Sequence, residues 1–312
     1  NPNIYIGFLT KVLMIQKGSA MDINYELYKV FYHVATTLSF SEASKKLYIS
    51  QSAVSQSIKA LEKKLNQTLF VRSTKRVKLT AEGELLFKHI EPAINLIIRG
   101  ENQIMDANAM NGGQLRIGAS DTICRYYLIP FLKEFHEHFP NVHIKVTNAT
   151  SAGCVDLLEN EVVDFIITNF PNPRIHSIRN VRKLREFHDI FIANNNFAHL
   201  KNKYLEFEEL LEYPILMLNK LSMTSEFLHS FFQQHHLDLV PEIELSGNDL
   251  LIDFARIGLG LAFIPDFCLP DNDSDLFIIK TKEMLPSRQL VVGYNDKVPL
   301  SEAARYFIDI LN

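Results

Sequence analysis

The sequence predicts a multidomain α/β chain, and three observations carry the prediction. Residues 40–83 read as two short helices, a tight turn and a basic hairpin. Residues 80–110 hold an unbroken helical repeat, and from residue 114 onward strands alternate with helices. The first pattern is that of an N-terminal winged helix-turn-helix, the second of a long linker helix, and the third of a two-lobed α/β domain.

From Asp22 to Leu38, the residues Leu27, Val30, Phe31 and Val34 fall on one helical face, so an opening helix is expected behind the recognition pair. Ser41 is positioned to cap a second helix with Ala43 and Leu47 four residues apart. Ser50 is positioned to cap a third, in which Ala53, Val54, Ile58, Leu61 and Leu65 form the inward face. This leaves Gln51, Ser52, Ser55, Gln56 and Lys59 facing out near a helix N-terminus, where amides, hydroxyls and a lysine suit base edges and phosphates. A solvated polar face has the same composition. The next segment decides between them, because Leu69 and Phe70 anchor a short hairpin into which Arg72, Lys75, Arg76 and Lys78 are crowded. Between Met21 and Gly83 ten Lys or Arg stand against five acidic residues, a balance of +5. With two further lysines in residues 1–20 and −4 overall, residues 84–312 carry −11. A basic module therefore precedes an acidic body. The expected DNA-contacting set is Ser41, Ser50, Gln51, Ser52, Ser55, Gln56, Lys59, Arg72, Lys75 and Arg76.

In these residues, SEASKKLYISQSAVSQSIKALEKKL followed by LFVRSTKRVKLTAEG, the chain resembles the LysR-type transcriptional regulators. The match departs at Ser41-Glu42, where a single Ala43 precedes Ser44 in place of the usual alanine pair, and at Ser52, where proline is common. The resemblance extends more loosely over residues 21–312. It implies sequence-specific binding to double-stranded promoter or operator DNA, a small-molecule effector, contact with RNA polymerase, and assembly as a homodimer or homotetramer in the cytoplasm. It also implies that a bound effector changes the angle between the lobes and thereby the spacing of the DNA-binding domains.

Thr80 with Glu82 is a helix-start signal, and from there to about Met110 apolar residues from Leu85 to Met105 recur at helical spacing. Roughly 28 residues make a helix ~42 Å long, too long to bury in one small domain, and Pro92 is a point where it can bend. Placed between the two modules, and in line with the resemblance, it reads as a dimer-forming linker. Asn111-Gly112-Gly113 ends it. Strands are then expected at Gln114–Ala119, Val142–Val146 and Val163–Thr168, with helices at 126–139 and 152–160, as a parallel doubly wound sheet. A second set follows, with strands near 189–193, 215–218, 243–245 and 261–264. Phe277–Lys280, Leu290–Tyr294 and a final helix at 301–311 are expected to return to the first sheet. The expected organisation is a DNA-binding domain over 21–79, a linker over 80–110, lobe I over 114–168 plus 276–312, and lobe II over 174–267, with crossovers near 169–173 and 267–275. The resemblance likens the two lobes to a periplasmic solute-binding protein. Residues 1–20 are expected to be a non-native or upstream-translated extension, with Met21 as the natural start.

In open α/β sheets ligands gather at the carboxyl ends of strands. The residues there are Ser120, Asp121 and Thr122, then Thr150 and Ser151, then Thr168 and Asn169 in the first lobe, with Ser222, Ser246 and Asn248 in the second. Hydroxyls and amides beside helix starts suit a small polar metabolite, although any helix start needs the same residue types. No arginine clamp is evident after Ser222, and Asp121 would repel a simple anion unless Arg125 offsets it. A zwitterionic or neutral effector is thus as consistent as a dicarboxylate. Three cysteines, Cys124, Cys154 and Cys268, give no disulfide or zinc framework. Cys124 and Cys154 fall near helix starts, which admits a thiol-based redox switch on the same scaffold. No residue pattern supports nucleophilic catalysis, a metal centre or a phosphate loop, so a non-enzymatic chain without cofactor is expected. A two-lobed solute-binding protein that does not bind DNA is the rival that residues 40–83 argue against. No apolar run reaches the ~18 residues of a membrane span.

Overall fold

The computed structural model describes residues 23–72, 77–108, 112–270 and 273–311. Two compact units divide at Ile98 and Arg99.

In the first unit, helix α1 (Tyr25–Thr37) is capped by Asn24 and buries Val30, Phe31, Val34 and Ala35. Helix α2 (Phe40–Leu47) is capped by Ser39, whose Oγ accepts from Glu42 N at 3.2 Å. The expectation that Ser41 would cap it is corrected. Ser39 has the extended backbone a cap requires and lies three residues before a glutamate, whereas Ser41 sits in the first turn. Helix α3 (Gln51–Leu65) is capped as expected, Ser50 Oγ accepting from Ala53 N at 3.2 Å, and its Val54, Ile58 and Leu61 are fully buried. They pack in one core with Phe31, Leu69 and Phe70.

Strands β1 (Phe70–Arg72) and β2 (Val77–Leu79) form the antiparallel wing. Glu62 Oε1 accepts from Leu69 N at 2.9 Å and Phe70 N at 3.3 Å, tying the wing's first strand to α3. Thr80 Oγ1 accepts from Gly83 N at 3.0 Å and starts α4 (Ala81–Asn108), which runs through Pro92. A Cβ on Gly83 would lie 2.2 Å from Leu69 O, so this close passage of helix and strand admits only glycine.

The second unit holds two mixed sheets. One has the order β4 (His143–Asn148), β3 (Gln114–Ala119), β5 (Phe165–Phe170), β13 (Arg288–Tyr294), β6 (Asn180–Phe187). The first three are parallel, and β13 is antiparallel to both its neighbours. The other has the order β10 (Ile243–Leu245), β9 (Ile215–Leu218), β11 (Leu261–Pro265), β7 (Asp189–Asn194), β12 (Leu276–Thr281), β8 (Tyr204–Leu205). On the first sheet lie α5 (Asp121–Ile123), which continues through a π turn at Cys124–Leu128 into α6 (Ile129–His138), then α7 (Ser151–Glu159) and α11 (Glu302–Ile310). The second sheet carries α8 (Phe207–Leu210), α9 (Met223–Gln234) and α10 (Asn248–Arg256). Each lobe has its own core, centred on Phe135, Phe165 and Phe307 in lobe I and on Phe191, Phe232 and Phe263 in lobe II.

Three expectations are corrected here. The first sheet is only partly parallel. The segment 277–280 does not return to it, because β12 pairs antiparallel with β7 in lobe II. Conversely, β6 lies inside the range expected for lobe II yet pairs with β13 in lobe I. The crossovers therefore fall at His188 and over residues 282–287, not near 169–173 and 267–275. The physical reason is pairing: β6 and β13 face each other over most of their lengths in one antiparallel ladder, and β12 lies antiparallel to β7.

Candidate functional site

The helix-turn-helix surface presents Gln51, Ser52, Gln56 and Lys59 as exposed side chains on α3, with Ser55 half-buried beside them. Ser50 Oγ and Ser52 Oγ lie 2.9 Å apart, so Ser52 also supports the cap. Ser41 is exposed on α2. Arg72 ends β1, and Lys75 and Arg76 fall outside the described residues. A residue that sequence reasoning missed is Tyr48, 95% exposed in the left-handed turn joining α2 to α3. An aromatic ring left in water at the bend between the two helices is an unusual placement, and its signal is only the residue type.

The second candidate is a cleft of about 380 Å³ between the lobes. Nine of the ten expected residues line it: Ser120, Asp121, Thr122, Thr150, Ser151, Asn169, Ser222, Ser246 and Asn248. The strand ends bring them together, because β3, β4 and β5 finish on one side and β9 and β10 on the other. Ser120, Thr150 and Ser222 are the N-caps of α5, α7 and α9, so their hydroxyl oxygens are held by helix amides. Thr168 is the exception. It is fully buried behind the cleft, where Oγ1 donates to Ser151 O at 3.4 Å.

The condition left open for Arg125 is decided by its partner. Its guanidinium lies 3.5 Å from Asp249 Oδ2 on the other lobe, and Asp121 Oδ1 accepts instead from Asn148 Nδ2 at 3.4 Å. The lobes are also joined by Asn248 Nδ2 donating to Thr122 Oγ1 at 2.9 Å.

Thr224 and Phe267 also line the cleft and were not foreseen. Behind Thr224 lies Arg288, 2% exposed at the start of β13, whose Nη1 donates to Asp189 Oδ2 at 2.7 Å and to Thr224 Oγ1 at 3.1 Å. Its guanidinium is sandwiched by Phe187 and Phe227, at 5.3 and 5.1 Å from the ring centroids. Asp189 and Arg288 stand next to the two crossovers, so this buried pair ties both crossovers to a lining residue. Burial pushes the Asp189 carboxyl up, and Arg288 pulls it the other way. The signal in the sequence was a single arginine opening a largely apolar strand.

The thiols are not activated. Burial and then the Asp121 charge push Cys124 up to about 11, and burial pushes Cys154 up to about 12, while Cys268 is raised further still. Desolvation outweighs the benefit of a helix start. Among the described residues no group of His, Cys, Asp and Glu is disposed to hold a metal ion, and no helix is long and apolar enough to cross a membrane.

Comparison with known families settles the larger identity. Residues 25–84 match the bacterial regulatory helix-turn-helix protein model of the lysR family, and residues 108–312 match the LysR substrate binding domain. The chain belongs to the LysR family of transcriptional regulators.

Among its relatives is the HTH-type transcriptional activator CmpR of Synechocystis, 24% identical over 286 residues that cover 91% of this chain and 93% of that one. Another is the regulator CrgA of Neisseria meningitidis, 26% identical over 81% of this chain and 83% of its own. The solved structure of CbnR, a LysR family transcriptional regulator, is similar at a TM-score of 0.63 and 16% identity, covering 92% of this chain and 98% of that one. The regulatory domain of Synechocystis CcmR in complex with 2-PG is similar at 0.58 and 21% identity, covering 64% of this chain and 95% of that one. This LysR-family chain is thus a DNA-binding transcriptional regulator with a two-lobed effector-binding domain.

Proposed function

We propose that the interlobe cleft is where this regulator receives its effector and that α3 with the wing is where it reads its operator. The observation that carries the first part is convergence: nine residues drawn from five separate strand ends line one cavity. In the second part, Gln51, Ser52, Ser55 and Gln56 meet base edges in the major groove, while Lys59, Arg72, Lys75 and Arg76 meet phosphate or the minor groove.

Leu85, Leu96, Ile97 and Met105 are exposed on α4 in the single chain. Large apolar side chains exposed on one helix are covered by a second copy of the chain, giving a homodimer or a dimer of dimers. Effector binding changes the lobe angle and with it the spacing of the DNA-binding modules, which alters contact with RNA polymerase. The chain works in the cytoplasm and carries out no reaction of its own. A thiol switch is disfavoured by the raised cysteines.

The test is binding of the purified protein to its own upstream intergenic DNA at several salt concentrations, against shuffled competitor. Tight, competitor-resistant binding that weakens steeply with salt is expected. Affinity no better than for the shuffled DNA would remove the operator assignment.

A further inference from the structure

The lining of the cleft offers both hydrogen-bond donors and acceptors. Thr150 Oγ1 accepts from Gly153 N at 3.2 Å, Ser222 Oγ from Thr224 N at 3.2 Å, and Thr224 Oγ1 from Arg288 Nη1 at 3.1 Å. With their acceptor sides engaged, these hydroxyls have an O–H left to offer. They stand at the starts of α7 and α9, whose N-terminal ends bring partial positive charge from both lobes.

Other lining groups accept. Among the described residues Asp121 is the one charged side chain that lines the cleft. Among the described residues, the buried amide oxygens of Asn169 and of Asn248, the latter 3% exposed, have no hydrogen-bond partner. An orphaned buried acceptor costs free energy until a donor meets it.

A dianion fits this inventory poorly. It would meet the Asp121 carboxylate with no lining cation to offset it, since Arg125 is turned to Asp249 and Arg288 is buried behind Thr224 in its pair with Asp189. A neutral ligand would make no use of the exposed Asp121 carboxylate at the cleft. A molecule with an ammonium and a carboxylate answers both acceptors and donors.

We propose that the effector is a small zwitterion of amino-acid type, its ammonium seated against Asp121 and the Asn169 and Asn248 carbonyls and its carboxylate against the N-termini of α7 and α9. A cavity of about 380 Å³ suits a ligand of that size. This inference rests on the reading of the cleft as the effector site.

The experiment is a thermal-shift survey of the full-length protein with three matched probe sets: the proteinogenic amino acids, the corresponding carboxylic acids lacking the amine, and the corresponding amines lacking the carboxylate. Small phosphorylated acids form a fourth set. At least one amino acid should raise Tm by about 2 °C or more at saturation, with its deaminated and decarboxylated counterparts inactive. Asp121→Asn, an exposed position that leaves the core untouched, should abolish the shift.

Leu221→Trp, at a lining residue 79% exposed, fills the cleft without disturbing the core and should also abolish it. An anion that stabilises the wild type and the Asp121→Asn variant but not Leu221→Trp would overturn the zwitterion and keep the cleft. A shift that survives both substitutions would overturn the cleft as well, and no response to any amino acid would overturn the proposal outright.

Discussion

Asn248 on α10 donates through Nδ2 to Thr122 Oγ1 at 2.9 Å, joining lobe II to lobe I across the cleft that both residues line. The bond is part-buried, so it is worth about 0.5–1.5 kcal/mol, whereas the neighbouring Arg125–Asp249 pair is largely in water and contributes less. Thr122→Val removes the acceptor and keeps the shape. The expected result is hydrogen exchange roughly 3- to 10-fold faster at amides 120–124 and 247–251, with little change for Arg125→Ala. Unaltered exchange in Thr122→Val would show that the lobes are held elsewhere.

The residues on either side of this bond show where the sequence was readable. Ser120, Thr150 and Ser222 sit where a strand ends and a helix starts, and both events leave local marks: an apolar run, then a capping residue; Asn248 opens α10 just after its N-cap Gly247. Convergence follows from the α/β topology, so the cleft could be anticipated from one dimension. Thr168 carried the same local mark, but burial behind the cleft depends on how α7 packs on β5, which no local pattern records. The strand β6 was hidden for a related reason. As an edge strand it turns Lys183, Arg185 and Glu186 to solvent, and its membership of lobe I rests on pairing with β13 about a hundred residues later. Arg288 was hidden likewise, because its partners Asp189 and Thr224 are 99 and 64 residues away.

Arg99, on the last third of α4, is 4% exposed and sits 3.1 Å from both Glu161 Oε2 and Asp164 Oδ1, while Arg116 Nη2 reaches Asp164 Oδ1 at 2.9 Å and Asn295 Nδ2 reaches Glu161 Oε1 at 2.7 Å. The four charges fix the end of the linker helix to lobe I. Arg99→Met strands the Glu161 carboxylate with a single amide partner, and a buried charge left so costs about 3 kcal/mol or more. Urea denaturation should show that loss, and adding Glu161→Gln should restore part of it, since the stranded charge is then gone. A single variant as stable as the wild type would mean that the cluster is solvated enough to do without the arginine.

On α3 and the wing the two kinds of contact separate by their salt response. Gln56 is exposed on the outer face of α3, and an amide pairing with an adenine edge discriminates by about 1–3 kcal/mol. Gln56→Ala should therefore relax base preference at one operator position and leave the salt dependence unchanged. Lys78, exposed on β2, offers only a charge, so Lys78→Ala should weaken binding to all sequences alike and reduce the salt slope by about one. Titrations against operator and shuffled DNA at four salt concentrations distinguish the two. Identical effects of both substitutions would contradict the assignment of α3 as the reading helix.

Cys124 tests the thiol switch directly. Its pKa, raised from 9.0 to about 11 by burial and by Asp121, leaves about 100-fold less thiolate near neutrality than an ordinary cysteine has. The thiolate is the reacting species, so native-state alkylation should be slow and should accelerate about tenfold per pH unit from pH 7 to pH 10, still short of a plateau. Cys154, fully buried and higher again, should lag behind it, and unfolding in urea should equalise the two. A rate that levels off below pH 8 would reveal a stabilised thiolate at the start of lobe I, and the oxidant-sensing alternative would then regain its chemical basis. The expected steep profile removes that basis, because a thiol that stays protonated at neutral pH is a poor nucleophile toward peroxide as well as toward the alkylating reagent.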